Sequence, residues 1–226
     1  ARRGVAAAAL PDKLELAWRF ETKAPVTSSA VIGGGAVYVG SCDGNVYALD
    51  ARTGKERWRF STKDQVQAAP LLLEDTLYVG GDDSFLYAID IATGREKWKY
   101  ETGDKIIGGA NWWRPPGGGA GRILIGGYDY KVYCFDGATG AKLWEYSTDN
   151  YVNGAPAVAG GEIVVGGCDA VLHVIGAADG ARVRAIDAGA YVAASTPVDG
   201  GRAFVGNFDG RVLCVDLSPE AAGDRI

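Results

Sequence analysis

YVGSCDGNVYALDARTGKERWRFST, residues 38–62, returns at 78–102 as YVGGDDSFLYAIDIATGREKWKYET and at 124–148 as LIGGYDYKVYCFDGATGAKLWEYST. Two more divergent copies follow, VVGGCDAVLHVIGAADGARVRAIDA (164–188) and FVGNFDGRVLCVDLSPEAAGDRI (204–226). Asp43, Asp83, Asp129, Asp169 and Asp209 fix the frame, at spacings of 40, 46, 40 and 40 residues. A unit of this length cannot cover its own apolar face, so neighbouring units must stack on one another.

Each unit divides into four short strands. In the first, 26–32 precedes the turn Gly33-Gly34-Gly35, Ala36–Ser41 precedes the hairpin turn Asp43-Gly44, and Val46–Asp50 precedes the turn Arg52-Thr53-Gly54; Glu56–Ser61 closes the unit. Asx-Gly turns join tight hairpins, and Val, Tyr, Ile, Leu and Trp favour pleated sheet. The middle strands are apolar nearly throughout, as strands covered on both faces are. Four-stranded sheets repeating at this period predict an all-β fold, a β-propeller. The expected parts are a flexible tail at 1–11, an outer strand at 12–24, and blades at about 25–64, 65–104, 105–150, 151–190 and 191–226.

The chain resembles the PQQ-like (quinoprotein-type) propeller family. The motif A-x-D-x-x-T-G-x-x-x-W is met by Ala48, Asp50, Thr53, Gly54 and Trp58, and again by Ala88, Asp90, Thr93, Gly94 and Trp98. The third copy has Cys134 for Ala but keeps Asp136, Thr139, Gly140 and Trp144. The resemblance implies that each outer-strand Trp, including Trp18, docks on the motif of an adjacent blade. A flat side chain needs a small residue and a glycine turn to lie against. In the fourth copy Arg184 replaces Trp and Gly176 replaces Asp, which predicts a weaker interface. Leu14–Glu21 reads as an outer strand without a blade of its own, and the fifth unit stops before its outer strand. Two arrangements follow: that segment closes a five-bladed ring, or the five blades are part of a larger ring of seven or eight, the size usual in the family.

Composition narrows the function. The chain has 226 residues, 34 Gly, no Met and a formal charge of −5, with no block of like charges. Nucleic acid is not an expected partner, and no apolar run reaches the length of a membrane span. The start, ARRGVAAAALPDK, is either a secretory remnant or a frayed tail, and its first residue, Ala, points to a processed or excised product. Cys42, Cys134, Cys168 and Cys214 form no CxxC and read as buried free thiols.

The repeated hairpin aspartates read as turn residues bonding their own backbone. His173, the only histidine, shows no paired Asp in sequence and no nucleophile motif, so neither a catalytic nor a metal site is expected. A quinoprotein dehydrogenase, the enzymatic alternative, would need PQQ, Ca²⁺ and an Asp base. Its alcohol-oxidising members carry adjacent cysteines, absent here, and no long inter-blade insertion supplies a pocket. The expectation is therefore a protein without cofactor.

Binding is better sought where residues vary within the constant frame. The loops entering the innermost strands carry Gln65, Gln67, Lys105, Asn150, Tyr151, Asn153 and Tyr191, a mixed rim expected on the hairpin face at the channel mouth. On the opposite face, the six-residue insertion NWWRPPGGGAGR (111–122) offers Trp112, Trp113 and Arg114, residue types that anchor interfaces. In an extended chain consecutive Trp residues point to opposite faces, so at least one is expected to be exposed. The resulting expectation is a non-catalytic scaffold for a protein or peptide partner, periplasmic or extracellular, akin to the non-catalytic propeller lipoproteins of outer-membrane assembly. The alternative to both scaffold and enzyme is a ligand-sensing propeller of a larger signalling protein.

Overall fold

The computed structural model describes residues 13–218, so the expected tail at 1–11 and residues 219–226 lie outside it. The first sheet holds β1 (Val31–Gly33), β2 (Ala36–Ser41), β3 (Asn45–Asp50) and β4 (Glu56–Ser61). The second holds β5 (Leu71–Leu73), β6 (Thr76–Gly80), β7 (Phe85–Asp90) and β8 (Glu96–Glu101). The third holds β9 (Asn111–Trp113), β10 (Arg122–Gly126), β11 (Lys131–Asp136) and β12 (Lys142–Ser147). The fourth holds β13 (Ala157–Ala159), β14 (Glu162–Gly166), β15 (Val171–Gly176) and β16 (Arg182–Asp187). The fifth has three strands among the described residues, β17 (Val198–Asp199), β18 (Arg202–Gly206) and β19 (Val212–Asp216). Every sheet is an antiparallel meander in chain order, the blade of a β-propeller. No helix in the described residues is long and apolar enough to cross a membrane.

Ladder registers repeat from blade to blade. Ala48 pairs with Trp58, Ala88 with Trp98, Cys134 with Trp144 and Val174 with Arg184, each beside a bulge in the outer ladder. The core is divided into four slabs between consecutive blades rather than gathered at one centre. The slab between the second and third blades, for example, joins Leu86 and Ala88 to Ile123, Ile125 and Phe135. That division is why the middle strands are apolar on both faces.

Three expectations need correction. Residues 13–30 lie in no strand, so the predicted outer strand at Leu14–Glu21 is not formed and does not complete the fifth sheet. The innermost strands are only two or three residues long, shorter than the sequence suggests, because the loops before them bond to hairpins instead. In the fifth blade β18 and β19 alternate buried and exposed residues, and of the cysteines expected to be buried Cys214 is exposed and Cys42 only half-buried. Among the described residues, ring closure by the N-terminal segment is accordingly not observed.

Candidate functional site

Two latches, recurring in the first four blades, set the position of the surface loops. The first is the indole of the outer strand. Trp18 Nε1 donates to the carbonyl of Ala51 at 3.0 Å, Trp58 to Ile91 at 2.9 Å, Trp98 to Gly137 at 2.9 Å and Trp144 to Ala177 at 3.3 Å. Each ring lies on the glycine of the next blade's turn. A Cβ at Gly54, Gly94, Gly140 or Gly180 would sit 2.6–2.7 Å from that indole, and all four hold φ between 69° and 74°. The turns are built by a carboxylate: Asp50 Oδ1 accepts from the amide and hydroxyl of Thr53, at 2.9 and 2.8 Å. The Arg57 guanidinium, followed by those Thr53 bonds, holds the Asp50 carboxyl well below the usual carboxylate range.

The divergent fourth copy keeps both parts of this latch by substitution. Asp179 Oδ1 accepts from Ala181 N–H and lies where a side chain at Gly176 would start, so the carboxylate has moved to the other end of the turn. Arg184 Nη1 donates to Ser218 O at 3.1 Å in place of the indole, and Nη2 pairs with Glu162 at 2.8 Å.

The second latch was not legible as such in the sequence. From the first to the fourth blade the hairpin Asp is a hub between blades, not merely a turn residue. Asp83 accepts from Lys63 N–H of the preceding loop at 2.9 Å, from Phe85 N–H at 3.2 Å, and from Tyr87 hydroxyl at 2.6 Å. Asp43 does the same with Lys23, Asn45 and Tyr47. The aromatic two residues after each Trp covers that Tyr: Phe20 on Tyr47 at 5.2 Å and Phe60 on Tyr87 at 5.1 Å. In the fourth blade His173 takes the Tyr position. Its Nε2 lies 3.0 Å from Asp169 and its Nδ1 3.0 Å from the Tyr146 hydroxyl, which corrects the expectation of an unpaired histidine. The i, i+4 spacing of Asp and Tyr, repeated three times, was the available signal.

These latches and a backbone clasp bring the predicted rim residues to one face. The loop carbonyl of Gln65 accepts from Asp82 N–H, Lys105 from Tyr128, Tyr151 from Cys168 and Tyr191 from Phe208, at 2.9–3.0 Å. The residue after each donates back to the previous hairpin, as Val66 N–H does to Ser41 O at 3.0 Å. From the second to the fourth blade the side chains form a connected strip. Gln67 Nε2 donates to Asp82 Oδ2 at 2.6 Å, and the Lys105 ammonium sits 4.5 Å from the Tyr128 ring centre. Tyr128 packs against Tyr151 in a tilted arrangement at 4.5 Å, and Tyr130 meets Tyr151 edge-on at 5.1 Å. Asn150 Nδ2 donates to Cys168 O at 3.1 Å, whereas Asn153 is half-buried with Oδ1 unpartnered. Gln65 and Tyr191 are exposed, and Phe208 stands beside Tyr191's loop at 74% exposure. Burial pushes the Asp82 carboxyl up, and its Oδ1 has no partner. Sequence reasoning missed Asp82, Tyr128, Tyr130 and Phe208. They flank the hairpin aspartates, where the aligned copies differ most. The strip offers stacking faces and hydrogen-bonding groups, the equipment of recognition.

The insertion behaves otherwise. Trp112 and Trp113 lie in β9 and do point to opposite faces, but each face is an inter-blade slab. Trp113 is 8% exposed and packs between the third and fourth blades, so it cannot serve as a surface anchor. Trp112 is half-buried against the slab behind Leu73, with Arg114 stacked 5.7 Å away and paired to Glu74 at 2.6 Å. The pair fills gaps that a three-residue strand alone leaves.

A cavity of about 340 Å³ among the innermost strands is lined by Leu71, Ala110, Asn111, Pro156, Ser195 and Thr196 with their neighbours. Its side-chain polar groups are one amide and two hydroxyls. A PQQ molecule, with three carboxylates and a bridging Ca²⁺, finds neither a cation nor a carboxylate there, so the lining does not fit that cofactor. Among the described residues no group of three or more His, Cys, Asp and Glu side chains is placed to hold a metal ion.

A family model described as outer membrane protein assembly factor BamB matches residues 2–111 and 104–218, and the chain belongs to that family. No curated protein sequence matches it significantly. Among solved structures it is similar to BamB from Moraxella catarrhalis, with 21% identity and a TM-score of 0.77 over 89% of this chain and 61% of that one. It is also similar to the computationally designed Ika8 protein, with 19% identity and a TM-score of 0.71 over 82% of this chain and 56% of that one. At these identities the likeness is one of fold, and the chain spans about three fifths of the length of the BamB structure.

Proposed function

We propose that this member of the BamB family is a non-catalytic scaffold that holds protein partners during outer-membrane assembly, in the periplasm, through the hairpin-face strip. Family membership supports the setting. The single observation that carries the choice of surface is the contiguous run Gln67, Asp82, Lys105, Tyr128, Tyr151 and Tyr130, held by the backbone clasp. A rigid platform with exposed tyrosines binds by stacking and shape at small entropic cost, since a tyrosine has few rotors to freeze.

The test is complementation of a bacterium lacking its own factor of this family, reading outer-membrane barrel levels. Tyr151→Ala combined with Tyr130→Ala should lose complementation while the thermal midpoint stays within a few degrees. Undiminished complementation by that variant, or alcohol-oxidising activity of the chain supplied with PQQ and Ca²⁺, would refute the reading.

A further inference from the structure

We infer that the aromatic strip is the seat for an arginine side chain presented by an extended segment of a partner protein. The inference rests on the scaffold reading and gives the chemistry of its contact. Tyr130 is the first reason. It holds φ 65°, a left-handed conformation that strains a bulky residue, at a hairpin position where other blades have Gly44, Ala170 or Gly210. The residue is nevertheless 42% exposed, with Tyr151 its ring neighbour and side-chain hydrogen-bond partner. A strained aromatic held out into water is not explained by packing.

The second reason is the charge preference of the cluster. Tyr128 has the Tyr151 ring tilted 30° against it at 4.5 Å and the Lys105 ammonium 4.5 Å from its centre. The protein itself thus places a cation on this π-system, as ring quadrupoles favour. The unused ring surface belongs to Tyr130 and Tyr151, the latter 37% exposed. Around it, carboxylates outnumber free cations. Asp104 is exposed and acts on Tyr130, and Asp149 is exposed beside Asn150. Lys131, the other nearby ammonium, is already paired with Glu145 at 2.8 Å.

A guanidinium satisfies all of these groups together: it is planar, weakly hydrated, stacks on tyrosine and forks onto a carboxylate, whereas an ammonium does only part of this. Tyr130 and Tyr151 are both exposed, which suits a side chain on an extended segment more than a small ligand enclosed on all sides.

The experiment follows the Tyr130 and Tyr151 ring resonances by NMR while the whole chain is titrated with acetyl-Gly-Arg-Gly-amide. Parallel titrations use the citrulline, lysine and phenylalanine versions of that peptide. The arginine peptide should bind saturably, at least tenfold tighter than the neutral citrulline isostere and several-fold tighter than lysine, and more weakly at high salt. Tyr130→Ala should reduce affinity tenfold with an unchanged thermal midpoint, because Ala170 already occupies that turn position at φ 66°. Asp104→Asn should lower affinity and flatten the salt dependence. Equal binding of arginine and citrulline, preference for phenylalanine, or full affinity in Tyr130→Ala would overturn the inference. If complementation fails in the rim variant while no peptide discriminates for arginine, the scaffold reading stands and the arginine seat falls.

Discussion

Gly94 shows how one atom governs an interface. With φ 71° and the Trp58 ring 2.7 Å from where a Cβ would lie, it needs glycine for both backbone and space. Gly210 has nearly the same φ, 74°, and nothing within 4 Å. Gly94→Ala is expected to lose about 2–5 kcal/mol, from left-handed strain plus overpacking, and Gly210→Ala only about 1–2 kcal/mol. Urea unfolding followed by tryptophan fluorescence reads the difference, and equal losses would deny the docking role. The tyrosines give a pH prediction. Tyr47 is pushed up to about 12, first by burial and then by its bond to Asp43, and burial likewise pushes Tyr78 up to about 12. A phenol raised in the fold stabilises fully below its unfolded pKa of about 10, and that contribution is lost as pH climbs toward the folded value. Burial pushes the Asp43 carboxyl up, but bonds from the Lys23 amide and the Tyr47 hydroxyl outweigh it and hold it low. Its contribution is present above an unfolded pKa of about 3.9 and lost as pH falls below that. Calorimetry should show an alkaline arm between roughly pH 10 and 12 and an acid arm below about pH 4. An alkaline arm already under way at pH 8 would contradict the assignment.

At the scale of the element, β9 carries the sharpest difference between sequence and structure. Alternation told that Trp112 and Trp113 diverge, but not that both directions lead into protein, because a neighbouring blade lies on each side of every sheet. Trp113→Ala should cost about 3–5 kcal/mol, a packing loss and not a binding loss. A thermal midpoint that barely moves would return Trp113 to the surface. The outer strands were legible because Trp recurs at a fixed distance from Thr-Gly, as in Thr53-Gly54 and Thr93-Gly94. The replacements in the fourth blade were not. Only in three dimensions does Arg184 stand in for an indole donor and Asp179 supply the carboxylate that Gly176 lacks. The rim was legible in half: the loop residues Lys105 and Tyr151 stood out, while Tyr128 and Tyr130 were hidden beside an aspartate read as a simple turn.

Across the whole molecule, stability is a sum of blade–blade slabs, so protection should follow the number of covered faces. The second, third and fourth blades have slabs on both sides, whereas in the fifth the exposed face of β18 and β19 shows Phe204 and Val212 at 37% and 83% exposure. Native-state hydrogen exchange should find the amides of β7, β11 and β15 slowest and those of β18 and β19 fastest. Uniform protection would mean that the blades do not behave as separable units. The hairpin face is clasped by every inter-blade loop, and it is the one assigned to partner binding. The most direct test places a photo-crosslinking residue at Tyr151 and, for comparison, at the exposed Ala138 on the opposite face, in cells complemented by the chain. Adducts with outer-membrane assembly proteins from position 151 and none from 138 are the predicted result. Adducts from 138 alone would place the binding surface on the wrong side of the propeller and contradict the account.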